Sequence, residues 1–224
     1  ISNQTLPLSF RDNLTNLDER IQSVTPMNVY WPGTKVASGE NQSSVGVIVI
    51  DPETFYDIIK YKFVDSPEPE EIFSELSKNN ETLILPDGLA HKLNVSVGSN
   101  LTVVTPTYGS KNFTVEGIFT GAVLQFISFG AHPMSESIVI SFKSESTYFH
   151  GSSKALIFFV NLKEGYKQQA SDVVGKIDSK YPQYGFAKQS MTLQDFLTRV
   201  RTQVDRIFSI FSLILYFVIF ISTI

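Results

Sequence analysis

Few side chains in this sequence are of the types that do chemistry, and their spacing matters more than their number. There is no cysteine, so no thiolate can ligate a metal or attack a carbonyl, and no disulfide framework is possible. The three histidines, His91, His132 and His150, form no His-Glu-x-x-His pattern and no paired helical spacing. Carboxylates are densest at Glu68, Glu70 and Glu71 and at Asp51 and Glu53. Both groups flank prolines and read as helix starts, where acids face the positive end of the helix dipole. No Gly-x-Ser-x-Gly elbow, phosphate-binding glycine loop or dinucleotide fingerprint occurs. The residues therefore point to no catalytic centre, no cofactor and no metal, and the chain is expected not to be an enzyme.

One chemical pattern does stand out. Seven of the eleven asparagines lie in Asn-X-Ser/Thr triplets: Asn3, Asn13, Asn41, Asn80, Asn94, Asn100 and Asn112. With 42 Ser plus Thr among 224 residues, chance would place about two. The excess predicts an exported, glycosylated surface.

That surface needs an anchor, and the end of the chain supplies a candidate. Residues 207–224 contain no charge, no Pro and no Gly, and fourteen of the eighteen are apolar or Tyr. As a helix they would reach roughly 27 Å, close to the hydrocarbon thickness of a bilayer, so they are expected to begin a transmembrane helix. Residues 1–206 would then form a domain on the extracellular side. Arg199, Arg201 and Arg206 before the apolar run argue weakly the other way, and the triplets outweigh them. A net charge of −4, without basic blocks, excludes nucleic acid as a natural partner.

Periodicity places the elements. Leu8, Leu14, Leu17, Ile21 and Val24 recur at helical steps, predicting a helix over 8–24 that Thr25-Pro26 ends. Residues 40–44 read as a polar loop. Val45 to Ile50 is apolar and β-branched, the pattern of a strand covered on both faces. Helices start at Asp51-Pro52-Glu53 and at Ser66 to Glu71, the second burying Ile72, Phe73 and Leu76. Thr82 to Leu85 predicts a strand, and Leu101 to Thr105 with Lys111 to Phe119 a hairpin turned at Tyr108-Gly109-Ser110. Ser137 to Phe142 and Ala155 to Leu162 predict strands, the second apolar enough to be central. Tyr166 to Tyr181 predicts an amphipathic helix, with an edge-like strand from Tyr184 to Ala187. Leu193, Phe196, Leu197, Val200 and Val204 form the stripe of a helix running into the apolar tail.

Three pieces in order then become familiar. Leu83-Ile84-Leu85-Pro86-Asp87-Gly88-Leu89-Ala90-His91-Lys92-Leu93, Val97-Gly98-Ser99-Asn100-Leu101-Thr102-Val103 and Phe113-Thr114-Val115-Glu116-Gly117-Ile118-Phe119 together resemble the extracytoplasmic core domain of MacB/FtsX-type ABC transporter permeases. In such a hairpin Gly98 would take a positive φ, and Gly117 would fit a bulge. The resemblance implies an α+β fold in which porter-like α/β sections at 1–80 and 135–190 flank a β-rich insert at 81–134. A stalk helix (191–206) would then lead into the transmembrane helix.

The same resemblance implies a non-catalytic permease subunit. Its partners would be a cytoplasmic ABC ATPase subunit acting through the membrane part, a second permease subunit, the membrane itself, and an extracellular partner or substrate. The apolar stretch 121–132 reads as a buried strand; read instead as an exposed loop, it makes Leu124, Phe126, Ile127 and Phe129 candidates for partner contact. Val200 and Val204 are candidates for contact between stalks. The alternative is a surface-anchored binding or structural protein with a single C-terminal anchor. Further hydrophobic segments encoded beyond residue 224 would favour the permease.

Overall fold

The computed structural model describes residues 5–30, 33–58, 61–105, 108–120, 136–149, 151 and 153–184, with positions 192, 194, 195, 198, 201 and 202. The chain divides into two compact units, Ile1–Leu162 and Lys163–Ile224.

The first unit is built around the apolar run read as a doubly covered strand. β5 (Gly46–Ile50) is buried at every position. β10 (Ser137–Ser141), equally buried, lies parallel to it in register from Ser137↔Gly46 to Ser141↔Ile50. β2 (Ile21–Tyr30) flanks β5 antiparallel, and β7 (Thr82–Pro86) flanks β10. Two helical layers account for the burial. Val47 and Val49 face a core that includes Leu89 and Leu93 of α4 (Asp87–Leu93), and α5 (Phe142–Tyr148) packs on the same side. Ile48 and Ile50 face Phe55 of α2 (Pro52–Ile58) and Ile72, Phe73 and Leu76 of α3 (Pro69–Lys78). Apolar residues at both odd and even positions are what a strand between two helical layers requires.

The sheet continues past β7 into a wing covered differently. β9 (Gly109–Thr120) runs parallel to β7, with β8 (Asn100–Thr105), β3 (Lys35–Ser38) and β4 (Asn41–Ser44) beyond it. The order is β12-β2-β5-β10-β7-β9-β8-β3-β4, with β12 (Ile157–Leu162) at one end and β6 (Lys62–Val64) pairing separately with β9, while β1 (Leu6–Pro7) and β11 (Lys154–Ala155) form a two-stranded sheet of their own. Strands from the expected sections 1–80, 81–134 and 135–190 thus share one sheet. On β8, buried residues alternate with exposed or half-exposed ones, the mark of a sheet with one open face. On β9 the register against β7 jumps from Leu83↔Val115 to Ile84↔Gly117, leaving Glu116 as the extra residue of a bulge. A one-residue insertion flips every later side chain to the other face. Phe113 and Val115 accordingly join the core on the α4 side, and Phe119 the core under α2 and α3.

Four expectations need correction. The helix predicted over 8–24 is only α1 (Phe10–Thr15); Ile21 onward is strand β2. A bulge explains the mimicry: Ile21 pairs with Leu162 and Ser23 with Asn161, so Gln22 is extra and the buried Ile21 and Val24 fall three apart on one face. Pro26 does not end the element. It lies just past the last β5 pair, Met27↔Ile50, where a missing N–H breaks no bond to that neighbour. The polar loop at 40–44 is edge strand β4, its Asn-Gln-Ser-Ser backbone held by β3. The run Ala155 to Leu162 is not central: β12 pairs only with β2 among the described strands, and most of it is half-buried.

In the second unit a 3₁₀ turn leads into α6 (Ala170–Lys180), which buries Val173 and Ile177. The edge-like strand expected from Tyr184 also needs correction. Tyr184 closes a 3₁₀ turn, Pro182–Tyr184, because Pro182 restarts a helical bend, and 185–187 lie outside the described residues. Thr192 and Asp195 cap reciprocally: the Asp195 N–H donates to the threonine hydroxyl at 3.1 Å, and the Thr192 N–H donates to the Asp195 carboxylate at 3.2 Å. Gln194, Asp195, Thr198, Arg201 and Thr202 are helical. Among the described residues no helix is long and apolar enough to cross a membrane. The run 207–224 and the stripe residues Leu193, Phe196, Leu197, Val200 and Val204 lie outside them.

Candidate functional site

Open α/β sheets present ligands at the carboxyl ends of their parallel strands, here the ends of β5 and β10. A cleft of about 220 Å³ sits there, lined by Leu8, Asp51, Pro52, Ser77, Ser141, Phe142 and Lys143. Its polar groups are already engaged. Arg11 Nη1 donates to Asp51 Oδ2 at 2.6 Å, and the Ser141 hydroxyl caps α5 by accepting from the Ser144 N–H. Lys143 Nζ donates to the Lys78 carbonyl at 2.7 Å, and Ser77 to Glu53. These bonds are capping and helix-to-helix ties.

A second cluster joins three elements. Glu81 Oε1 accepts from the Tyr148 hydroxyl at 2.7 Å and from Lys111 Nζ at 2.8 Å, while Lys111 also stands 5.6 Å from the Tyr148 ring centre. The hydrogen bond from Lys111, then that from Tyr148, holds the Glu81 carboxyl below its usual range. The bond to Glu81 in turn raises Lys111 and Tyr148. Beside it, Asn80 Nδ2 donates to Thr147 at 3.2 Å. This is a polar clip fastening α5 to β9 and to the turn before β7. Glu81 and Lys111 are paired at the surface, each side chain 42% exposed.

The buried carboxyl of Glu145 left no signal in the sequence. Glu145 of α5 is 3% exposed and accepts from Asn28 Nδ2 at 3.1 Å; burial pushes its carboxyl above the ordinary glutamate value, against the Asn28 bond. Gly151 packs against it so closely that a Cβ there would stand 2.7 Å from Oε2. Its partner lies 117 residues away, and no local pattern encodes that pairing.

The glycosylation candidates scatter over the surface. Asn13, Asn41, Asn94, Asn100 and Asn112 are exposed and Asn80 is half-buried, while Asn3 lies outside the described residues. Leu124, Phe126, Ile127 and Phe129 lie outside them too, as do Val200, Val204, His132 and His150. His91 is exposed on α4. Among the described residues no three His, Asp or Glu side chains gather as metal ligands.

No protein-family model and no curated protein matches the sequence. Solved structures do match. The periplasmic region of MacB from Actinobacillus actinomycetemcomitans aligns over 80% of this chain and 76% of its own, with a TM-score of 0.54 at 16% identity. The extracellular domain of the ABC-type transporter YknZ from Gram-positive bacteria aligns over 80% and 85%, with a TM-score of 0.54 at 12% identity. A domain of a putative permease from Porphyromonas gingivalis aligns over 79% and 77%, with a TM-score of 0.53 at 12% identity. The chain therefore has the mixed α+β fold of these three domains, as the motifs between Leu83 and Phe119 led us to expect. Gly98 takes φ +80° in its turn and Gly117 sits at the bulge, the roles the resemblance implied.

Proposed function

We propose that residues 1–206 are the extracytoplasmic domain of an ABC transporter permease subunit, and that residues 207–224 begin the membrane helix that carries it. The domain performs no catalysis. ATP binding and hydrolysis take place in a cytoplasmic ATPase subunit, the permease works as a pair, and the outer domain passes the motion to a substrate or a partner outside. The porter-like sections 1–80 and 135–190, the insert 81–134 and the stalk 191–206 are the parts of that lever. One observation carries the reading: the fold likeness, over about four fifths of the chain, to the periplasmic region of MacB, the extracellular domain of the ABC-type transporter YknZ and a domain of a putative permease. The polar ties support it, because they fasten α5 to β9 and the helices around the cleft to one another.

Within this reading the apolar stripe of the stalk must be covered, by its own domain at Leu193 and Phe196 and by the second subunit's stalk at Val200 and Val204. Leu124, Phe126, Ile127 and Phe129 meet the outside partner. Val200→Pro breaks a continuous helix at about 3 kcal/mol locally. In cells it should abolish ATP-dependent function while the ectodomain stays folded and the ATPase still binds ATP. Unimpaired function would contradict the stalk as a transmission element.

A further inference from the structure

The two sequons of the wing hairpin interlock. In a strand, residues two apart share a face, so Asn100 and Thr102 on β8, and Asn112 and Thr114 on β9, project together while Leu101 and Phe113 point inward at 0% and 1% exposure. The register pairs Asn100 with Thr114 and Thr102 with Asn112. Two acceptor asparagines and their two hydroxyl partners thus form one square on the open face, both asparagines exposed. Thr102 Oγ1 donates to Asn112 Oδ1 at 3.0 Å, which turns the carbonyl side of that amide toward β8 and leaves Nδ2 out of the bond. Asn80 is the opposite case. It is half-buried, its Nδ2 already donates to Thr147, and its partner Thr82 is 0% exposed with its hydroxyl bonded to the Asn79 carbonyl at 2.7 Å.

We propose that Asn100 and Asn112 carry N-linked oligosaccharides that cover the open face of the β9–β8 wing, whereas Asn80 stays bare. The inference rests on the reading that the domain faces outward. In the transfer, Nδ2 forms a bond to the anomeric carbon of a donor sugar carrying a phosphate leaving group. The anomeric C–O bond breaks, the phosphate takes the electron pair, and the amide nitrogen loses one proton to a base of the transferase. Diagonal positions across an antiparallel pair lie about 7–8 Å apart, so two chains there crowd the face and keep protein partners off it. The surface that meets an extracellular partner is therefore elsewhere.

Trypsin separates the sites, because Lys78, Lys92 and Lys111 bracket Asn80, then Asn94 with Asn100, then Asn112. Mass spectrometry of the full-length protein from its native membranes should find sugar on peptide 93–111 and on the peptide beginning at Asn112, and none on 79–92. Asn100→Gln should remove one glycan mass from 93–111. Bare 93–111 and 112 peptides, sugar on Asn80, or an unchanged mass in Asn100→Gln would overturn the proposal. Labelling intact cells with a membrane-impermeant amine reagent keeps the two readings apart. Labelled lysines on a bare protein would sink the glycans alone, and unlabelled lysines the outward placement as well.

Discussion

Two single positions, Gly117 and Glu145, decide how β9 and α5 are built. A Cβ added at Gly117 would stand 2.9 Å from Phe63 Cε1 and 3.0 Å from Ile72 Cδ1. Those atoms belong to the side chains of β6 and α3, so a side chain at position 117 would force them to shift. Gly117→Ala should cost about 1–3 kcal/mol of stability through overpacking, read from denaturant midpoints at unchanged slope. Glu145 makes a prediction in pH. Burial raises its folded-state value above the ordinary 4.5, so the folded protein holds this proton more tightly than the unfolded chain. The stabilising effect is full below the unfolded value and is lost as pH rises through the folded one. Glu81, held low by Lys111 and Tyr148, has the opposite sign: its contribution is present above the unfolded value and lost on acidification. Glu145→Gln, which keeps an acceptor for Asn28, should gain melting temperature relative to the parent as pH rises above about 4.5, with little difference below. A difference that stays flat with pH would show that the carboxyl is not desolvated.

At the scale of elements, the sheet has two regimes. β5 and β10 are buried on both faces, while β8 is buried on one. Leu101→Ala, at 0% exposure, should therefore cost about 2–5 kcal/mol by leaving a cavity. Thr102→Val on the open face should stay within about 0.5 kcal/mol, and chemical denaturation distinguishes the two. Equal costs would mean that the face is covered. These regimes also explain what could be read without coordinates. The doubly covered strands, the Pro-started α2 and α3 and the hairpin announce themselves, because burial on both faces and proline starts leave local signals. β2 was hidden because the bulge at Gln22 puts Ile21 and Val24 at a helical step. β3 and β4 were hidden because a polar edge such as Asn41 to Ser44 is fixed by its neighbour's ladder rather than by its own composition. The Asn28–Glu145 bond and the Glu81 clip join residues from 30 to 117 positions apart, and no period along the chain can place them.

At the scale of the molecule, a single sheet joins the motif-bearing hairpin to the strands at both ends of the first unit, and polar ties fasten its helices. The central claim is that this body works as the outer part of an ATP-driven permease. Isolating the full-length protein from native membranes in mild detergent, and measuring the ATPase subunits held per copy together with ATP turnover, tests it most directly. The account predicts one ABC ATPase subunit for each copy of this chain and turnover by the isolated complex. A chain that comes out of the membrane alone, with no such ATPase and no turnover, would contradict it.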